Sequence, residues 1–300
     1  MQDLEERLQS YEPLWGQWRL EERLYSGDAS AVYEISRQRL DKPLRSIVKL
    51  LHMQGTTEEQ DAFLSSAINE IECMELLQGS PYIVSYRGDA FYPCVDSSGK
   101  VYGYDVLIRM DYLRCLSDEI REGRSFSEKE VVDLGRQICA ALSAAHGKGI
   151  MHLDIKPANI YLREDGRCLL GGFDSSAAQR KSEIFKTMAG AAAYVAPELL
   201  RDEYDQRADF YSLGLVLYQL LNENFLPFIH GDSTYSQREE AIRKRHRGEA
   251  VIAPKNGSRR LKKTVLKALS FAPGKRFSSA YEMRFSLEGR HHQKKKSSWR

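Results

Sequence analysis

Three hundred residues, 42% hydrophobic and 29% charged, are enough for one large domain or two lobes with a sizeable core. Five scattered cysteines (Cys73, Cys94, Cys115, Cys139 and Cys168) are odd in number and hold no C-x-x-C pair, which argues against a disulfide framework or a zinc site and for a reduced, cytoplasmic protein. The net charge of +2 hides an asymmetry: residues 1–113 carry about −8 and the remainder about +10.

The N-terminal MQDLEERLQS is acidic and amphipathic without an apolar h-region, so no secretory signal is expected. Leu4 and Leu8, at i and i+4, predict a short helix that packs on the body or frays. From Trp18 to Leu51, short apolar alternations (Val32-Tyr33-Glu34-Ile35, then Ile47-Val48-Lys49-Leu50) predict antiparallel strands. Residues 57–78 read as a helix, with Phe63, Ile68, Ile71, Met74 and Leu77 on its apolar side. Strands are expected near Tyr82–Tyr86 and Val101–Met110, with Asp96-Ser97-Ser98-Gly99 as a turn before the second.

The rest reads as mostly helical. Ser127-Glu128-Lys129-Glu130 is a capping-box start, followed by the stripe Val131, Leu134, Ile138, Leu142 to about His146. Ile160-Tyr161-Leu162 and Cys168-Leu169-Leu170 flank a Glu164-Asp165-Gly166 turn, a small hairpin. Helices follow near Ala196, Asp209–Leu221, Gln237–His246, Leu261–Leu269 and Ser278–Leu287. The longest apolar stretch, Leu213 to Leu221, is too short to span a bilayer. Basic runs (Arg243-Lys244-Arg245, Arg259-Arg260 with Lys262-Lys263, Lys294-Lys295-Lys296) have no interleaved aromatic residue except the near-terminal Trp299. They read as solvated helix surface and a disordered tail, and no nucleic acid partner is expected.

Several motifs stand in a fixed order: Ser46-Ile47-Val48-Lys49, Glu70 in the first long helix, His152-Leu153-Asp154-Ile155-Lys156-Pro157-Ala158-Asn159, Gly172-Phe173-Asp174, Ala196-Pro197-Glu198, and Asp209-Phe210-Tyr211-Ser212-Leu213-Gly214. Over roughly residues 18–288 they resemble the motifs of protein kinases, and Lys156 resembles the Ser/Thr class. The resemblance implies an α+β, bilobal fold. An antiparallel β-rich N-lobe with one main helix would cover about 18–113 and a mostly helical C-lobe about 114–288. Residues 1–17 would form an extension and 289–300 a basic tail.

For the site, the resemblance implies ATP as cofactor with Mg²⁺ or Mn²⁺, and a protein substrate or partner. Lys49 would hold the α- and β-phosphates, paired with Glu70. Gly27, Val32, Ile47, Met110, Asp111, Leu113 and Tyr161 would surround the nucleotide, with Met110 as gatekeeper, Asp111 to Leu113 as hinge and Tyr161 on the floor. Asp154 would orient the substrate hydroxyl, Lys156 would stabilise the transferring phosphoryl group, and Asn159 would ligate a metal ion. Arg276 would pair with Glu198, Asp209 would brace the catalytic-loop backbone, and Phe173, His152 and Met74 would form a regulatory stack.

The departures fall in one direction. Gly172 stands where the family has its metal-binding Asp, and Asp174, two residues on, could reach a metal only if the loop rearranged. The phosphate loop, Tyr25-Ser26-Gly27-Asp28-Ala29-Ser30, keeps one glycine of three. Ile47 replaces a small roof residue, Leu153 replaces the Arg that reads phosphorylation, and Gly190-Ala191-Ala192-Ala193-Tyr194 lacks a Thr. Ser175, Ser176, Ser182 and Thr187 are candidate phosphosites. The expected function is therefore a catalytically impaired, signalling pseudokinase that acts as a binding or allosteric module. The alternatives are an active Ser/Thr kinase with an atypical metal site and an adaptor for acidic partners.

Overall fold

The computed structural model describes residues 4–27, 29–40, 42–173, 191–201 and 203–289. The chain divides into two compact units, Met1–Gly79 with Val84–Arg114 and Ser80–Ile83 with Cys115–Arg300.

The first unit is built on a five-stranded antiparallel sheet among the described residues. Its strands are β1 (Arg19–Ser26), β2 (Ser30–Arg37), β3 (Leu44–Gln54), β4 (Tyr86–Val95) and β5 (Val101–Asp111), in the order β1-β2-β3-β5-β4. The period of two sorts side chains by face. Tyr33, Ile35, Val48, Leu50 and Leu107 lie on one face, and Val106 and Ile108 on the other.

The second face is covered by α2 (Thr57–Leu76), which starts with a capping box: Glu59 N–H donates to Thr56 Oγ1 (3.3 Å) and Thr56 N–H to Glu59 Oε2 (2.7 Å). Ala67, Ile71 and Met74 are its buried stripe. Ile68, expected on that stripe, is 45% exposed, because it sits about 100° around the helix from Ala67 and points away.

The first face is covered by the N-terminal segment. Helix α1 (Leu4–Ser10) packs rather than frays, and Leu8, Leu14 and Trp18 join the core on that face. Its anchor is polar. Asp105 of β5 is fully buried and accepts hydrogen bonds from Arg7 Nε (3.1 Å) and Nη2 (2.7 Å) and from Tyr11 Oη (2.5 Å); His52 Nδ1 lies 2.5 Å from its other oxygen. Arg7 Nη2 also reaches Cys94 Sγ (2.7 Å), Tyr11 stacks on Tyr92 (4.0 Å) and Arg109 lies over the Trp15 and Trp18 rings.

Two strand assignments change. β1, sequence RLEERLYS, is an edge strand with few apolar residues and gives no alternation to read. The strand expected over Tyr82–Tyr86 begins only at Tyr86. Pro81 interrupts the run, and Tyr82 and Ile83 instead pair with Leu170 of the second unit, whose N–H donates to Tyr82 O (2.9 Å).

Beyond the two-residue β6 (Arg114–Cys115), the second unit holds α3 (Leu116–Arg121), α4 (Glu128–His146) and the hairpin β7 (Ile160–Leu162) with β8 (Cys168–Leu170). Helices α5 (Arg207–Leu221), α6 (Tyr235–His246), α7 (Arg259–Ala268) and α8 (Ala280–Glu288) follow. The Ser127/Glu130 capping box opens α4 as the sequence predicts. Every residue of α5 from Ala208 to Leu221 is buried, which marks it as the hydrophobic axis of this unit. Gly214 lets α7 approach it: a Cβ there would lie 2.9 Å from that of Ala268.

Candidate functional site

In the first unit the β3 alternation turns Lys49 toward α2, and Glu70 faces it from the helix. Lys49 Nζ lies 2.9 and 3.2 Å from the two Glu70 oxygens, and both side chains are largely buried. An isolated helix Glu is normally solvent-facing; this one is 6% exposed. A pair this buried recovers little of its desolvation cost, so it specifies geometry more than it stabilises.

The nucleotide-site candidates of this unit have defined partners. Val32 lies opposite Lys49 in the β2–β3 register, and Ile47 opposite Met110 across β3–β5. Ser46 Oγ donates to Met110 O (2.5 Å), Asp111 is held by Arg87 Nε (2.6 Å), and Leu113 is half-buried past β5. Gly27 N–H closes the β1–β2 turn on Ser30 O (2.8 Å), and a Cβ on Gly27 would lie 3.0 Å from the Tyr25 hydroxyl. Tyr25 thus covers the single glycine that this loop retains.

In the second unit, Asp209 in the first turn of α5 organises the loop before β7. Fully buried, it accepts from His152 N–H (3.0 Å) and Leu153 N–H (2.6 Å), with His146 Nε2 at 2.7 Å. Burial alone would raise its pKa; the hydrogen bond from His146 and the nearby histidines and N–H groups pull it below the usual carboxylate range. Leu153 adopts φ +61, a left-handed conformation that costs a branched side chain about 1–2 kcal/mol and that the Asp209 bond holds in place. His152 accepts Asp154 N–H at Nδ1 (3.2 Å), which leaves its proton on Nε2 to donate to Gly171 O (2.8 Å). Its ring also packs on Phe173, centroids 4.5 Å apart.

The loop brings Asp154, Lys156 and Asn159 together. Lys156 Nζ sits 2.8 Å from Asp154 Oδ2, and Asn159 Nδ2 donates to Asp154 O (2.8 Å) and Oδ2 (2.9 Å). Gly172 lies beside them at φ +74. A Cβ there would stand 2.5 Å from Asn159 Cγ and 2.7 Å from both its terminal atoms. At this φ a side chain is strained whatever the space, and the Asn159 amide stands in its way besides. Among the described residues the donors here are one amide oxygen and a carboxylate already held by Lys156 and Asn159. Magnesium prefers a near-octahedral oxygen shell including carboxylate, so this donor set does not fit it.

Tyr161 is half-buried on β7, opposite Leu169. Asp174 lies outside the described residues, as do Asp28, Ser175, Ser176, Ser182 and Thr187. Arg276 and Glu198 form the expected buried pair: Nη2 to Oε2 is 2.8 Å, Nη1 bonds Oε1, and Nε donates to Ser270 O (2.7 Å). The sequence reading missed His146 as a partner of Asp209 and Gln219 as acceptor for the Tyr194 hydroxyl (2.5 Å). For His146 the signal was available, since it ends the α4 stripe one loop before His152.

A lysine–glutamate pair between strand and helix, an Asp-x-Lys-x-x-Asn loop braced by Asp209, and a Glu198–Arg276 lock on a bilobal α+β fold define a kinase-like scaffold. The chain belongs to the protein kinase domain family, whose model matches residues 18–286. It is 32% identical over 190 residues to a probable serine/threonine-protein kinase of Clostridium perfringens, a stretch covering 60% of this chain and 27% of that protein. Against serine/threonine-protein kinase PknB of Mycobacterium leprae it is 34% identical over 193 residues (60% of this chain, 29% of the relative). Against CBL-interacting protein kinase 16 of Oryza sativa it is 36% identical over 188 residues (60% and 39%). The aligned stretch thus spans between about a quarter and two fifths of these relatives. No helix among the described residues is long and apolar enough to cross a membrane.

Proposed function

We propose that this chain is a Ser/Thr kinase-like domain with impaired phosphotransfer, a pseudokinase that works as a binding or allosteric module for a protein partner. The observation that carries this reading is the packing of Asn159 against Gly172, in the space a metal-binding carboxylate would need. Asn159 spends its amide N–H groups on Asp154 instead. Loss of a bridging metal ion, at about 3–5 kcal/mol of transition-state stabilisation, slows transfer about 10²- to 10⁴-fold. ATP remains the expected ligand, because Lys49 and Glu70 keep the arrangement that receives its phosphates. Five unpaired cysteines fit a cytoplasmic location.

A second reading, an active kinase with an atypical metal site, draws on the intact Asp154, Lys156 and Asn159 cluster. In it Asp154 orients the substrate hydroxyl, Lys156 meets the developing phosphoryl charge, and Asp174 supplies the missing carboxylate. The melting temperature with millimolar ATP, with and without Mg²⁺ or Mn²⁺, separates the two. A shift indifferent to metal is expected, together with Gly172→Asp that gains no transfer activity. A shift that grows with metal, and phosphorylation abolished by Asp154→Asn, would overturn the proposal.

A further inference from the structure

Arg245, in the last turn of α6, is a buried cation that the site described above does not use. It is 3% exposed, yet it donates only to backbone carbonyls, Nη1 to Pro227 O (3.3 Å) and Nη2 to Ala193 O (2.8 Å). Arg276, equally buried, shows the usual solution, with both its terminal nitrogens on the Glu198 carboxylate. No carboxylate pairs with Arg245 among the described residues. A buried guanidinium without a counter-charge is costly to keep, so its retention asks for a reason.

Beside it lies a cavity of about 200 Å³ within the second unit, between α5, α6, α7 and the residues after them. Arg245 and Ser270 give it a polar end; Tyr211, Leu266, Leu269 and Phe271 give it apolar walls. Glu249 at the rim is drawn to Arg247 (3.0 Å) and does not neutralise Arg245.

We propose that this cavity binds a small monocarboxylate with an apolar body, its carboxylate on Arg245 and its ring or chain against Tyr211, Leu266 and Leu269. One buried cation balances one negative charge; a phosphate, at nearly two, would leave charge uncompensated among apolar walls. The volume suits a fragment-sized acid, since it lies below that of pockets for drug-sized ligands. Occupancy is felt beyond the cavity. The same guanidinium holds Ala193 O, and the next residue, His246, holds Val195 O (3.2 Å), so α6 grips the segment leading into Ala196-Pro197-Glu198.

The test uses benzoate as probe and neutral benzamide as control, each titrated into the full chain and followed by ligand-observed NMR and calorimetry. Benzoate is expected to bind at least about tenfold tighter than benzamide. Arg245→Met should still fold, because an apolar side chain of similar length replaces a buried charge without loss of stability, and should lose that tenfold preference. Leu266→Trp, which fills the cavity and keeps Arg245, should abolish binding and decides the matter if Arg245→Met fails to fold. Equal binding of benzoate and benzamide, or benzoate affinity unchanged in either variant, would overturn the proposal.

Discussion

Asp105→Ala tests what holds the N-terminal segment to the sheet. In the wild type Asp105 is completely buried, with Arg7, Tyr11 and His52 converging on its two oxygens. Burial alone would raise its pKa; the hydrogen bonds from His52, Arg7 and Tyr11 win and bring it to about 2, from an ordinary 3.8. A depression of that size corresponds to about 2 kcal/mol of stability. Because the folded pKa lies below the unfolded one, this stabilisation is present above pH 3.8 and is lost as pH falls toward 2. Truncation does more than protonation, because it strands the Arg7 guanidinium in the core, and about 3–5 kcal/mol is expected.

Urea unfolding followed by tryptophan fluorescence reads this directly, since Trp15 and Trp18 lie in the segment that Arg7 anchors. The variant's midpoint should fall at pH 7 and depend less steeply on pH than the wild type's between about 4 and 2. Arg7→Met combined with Asp105→Leu should recover most of the loss, because an apolar pair of similar volume pays no desolvation cost. A loss below about 1 kcal/mol for Asp105→Ala, or parallel acid sensitivity in wild type and variant, would refute the reasoning.

Arg276→Met leaves Glu198 buried without its partner and should cost about 3–5 kcal/mol in chemical denaturation, most of it recovered by adding Glu198→Leu. Ser127→Ala removes the hydroxyl that receives Glu130 N–H at the start of α4 and should lower stability by about 1 kcal/mol, seen as a drop in melting temperature with no change in nucleotide binding.

Local patterns were legible because they act over a few residues. The capping box at Ser127, the hairpin around Gly166 and the α2 helix follow from hydrogen bonds and periodicities contained in the sequence itself. The order of motifs carried further, to the Lys49–Glu70 pair and the Glu198–Arg276 lock. Burial was harder. Ile68 shares the apolar character of Ile71 but points outward, and β1 shows no alternation because an edge strand presents mostly polar residues.

By itself the sequence determined the family, the main helices and the absence of a carboxylate at position 172. Tertiary structure alone decided what fills that space: the side-chain amide of Asn159, turned onto Asp154 by hydrogen bonds no pattern encodes. It alone set Arg7 against Asp105, 98 residues away, and left Arg245 buried beside a cavity with no carboxylate paired to it among the described residues. The physical reason is common to all three. Desolvation and pairing depend on which side chains folding brings within a few ångströms, and sequence distance says nothing about that.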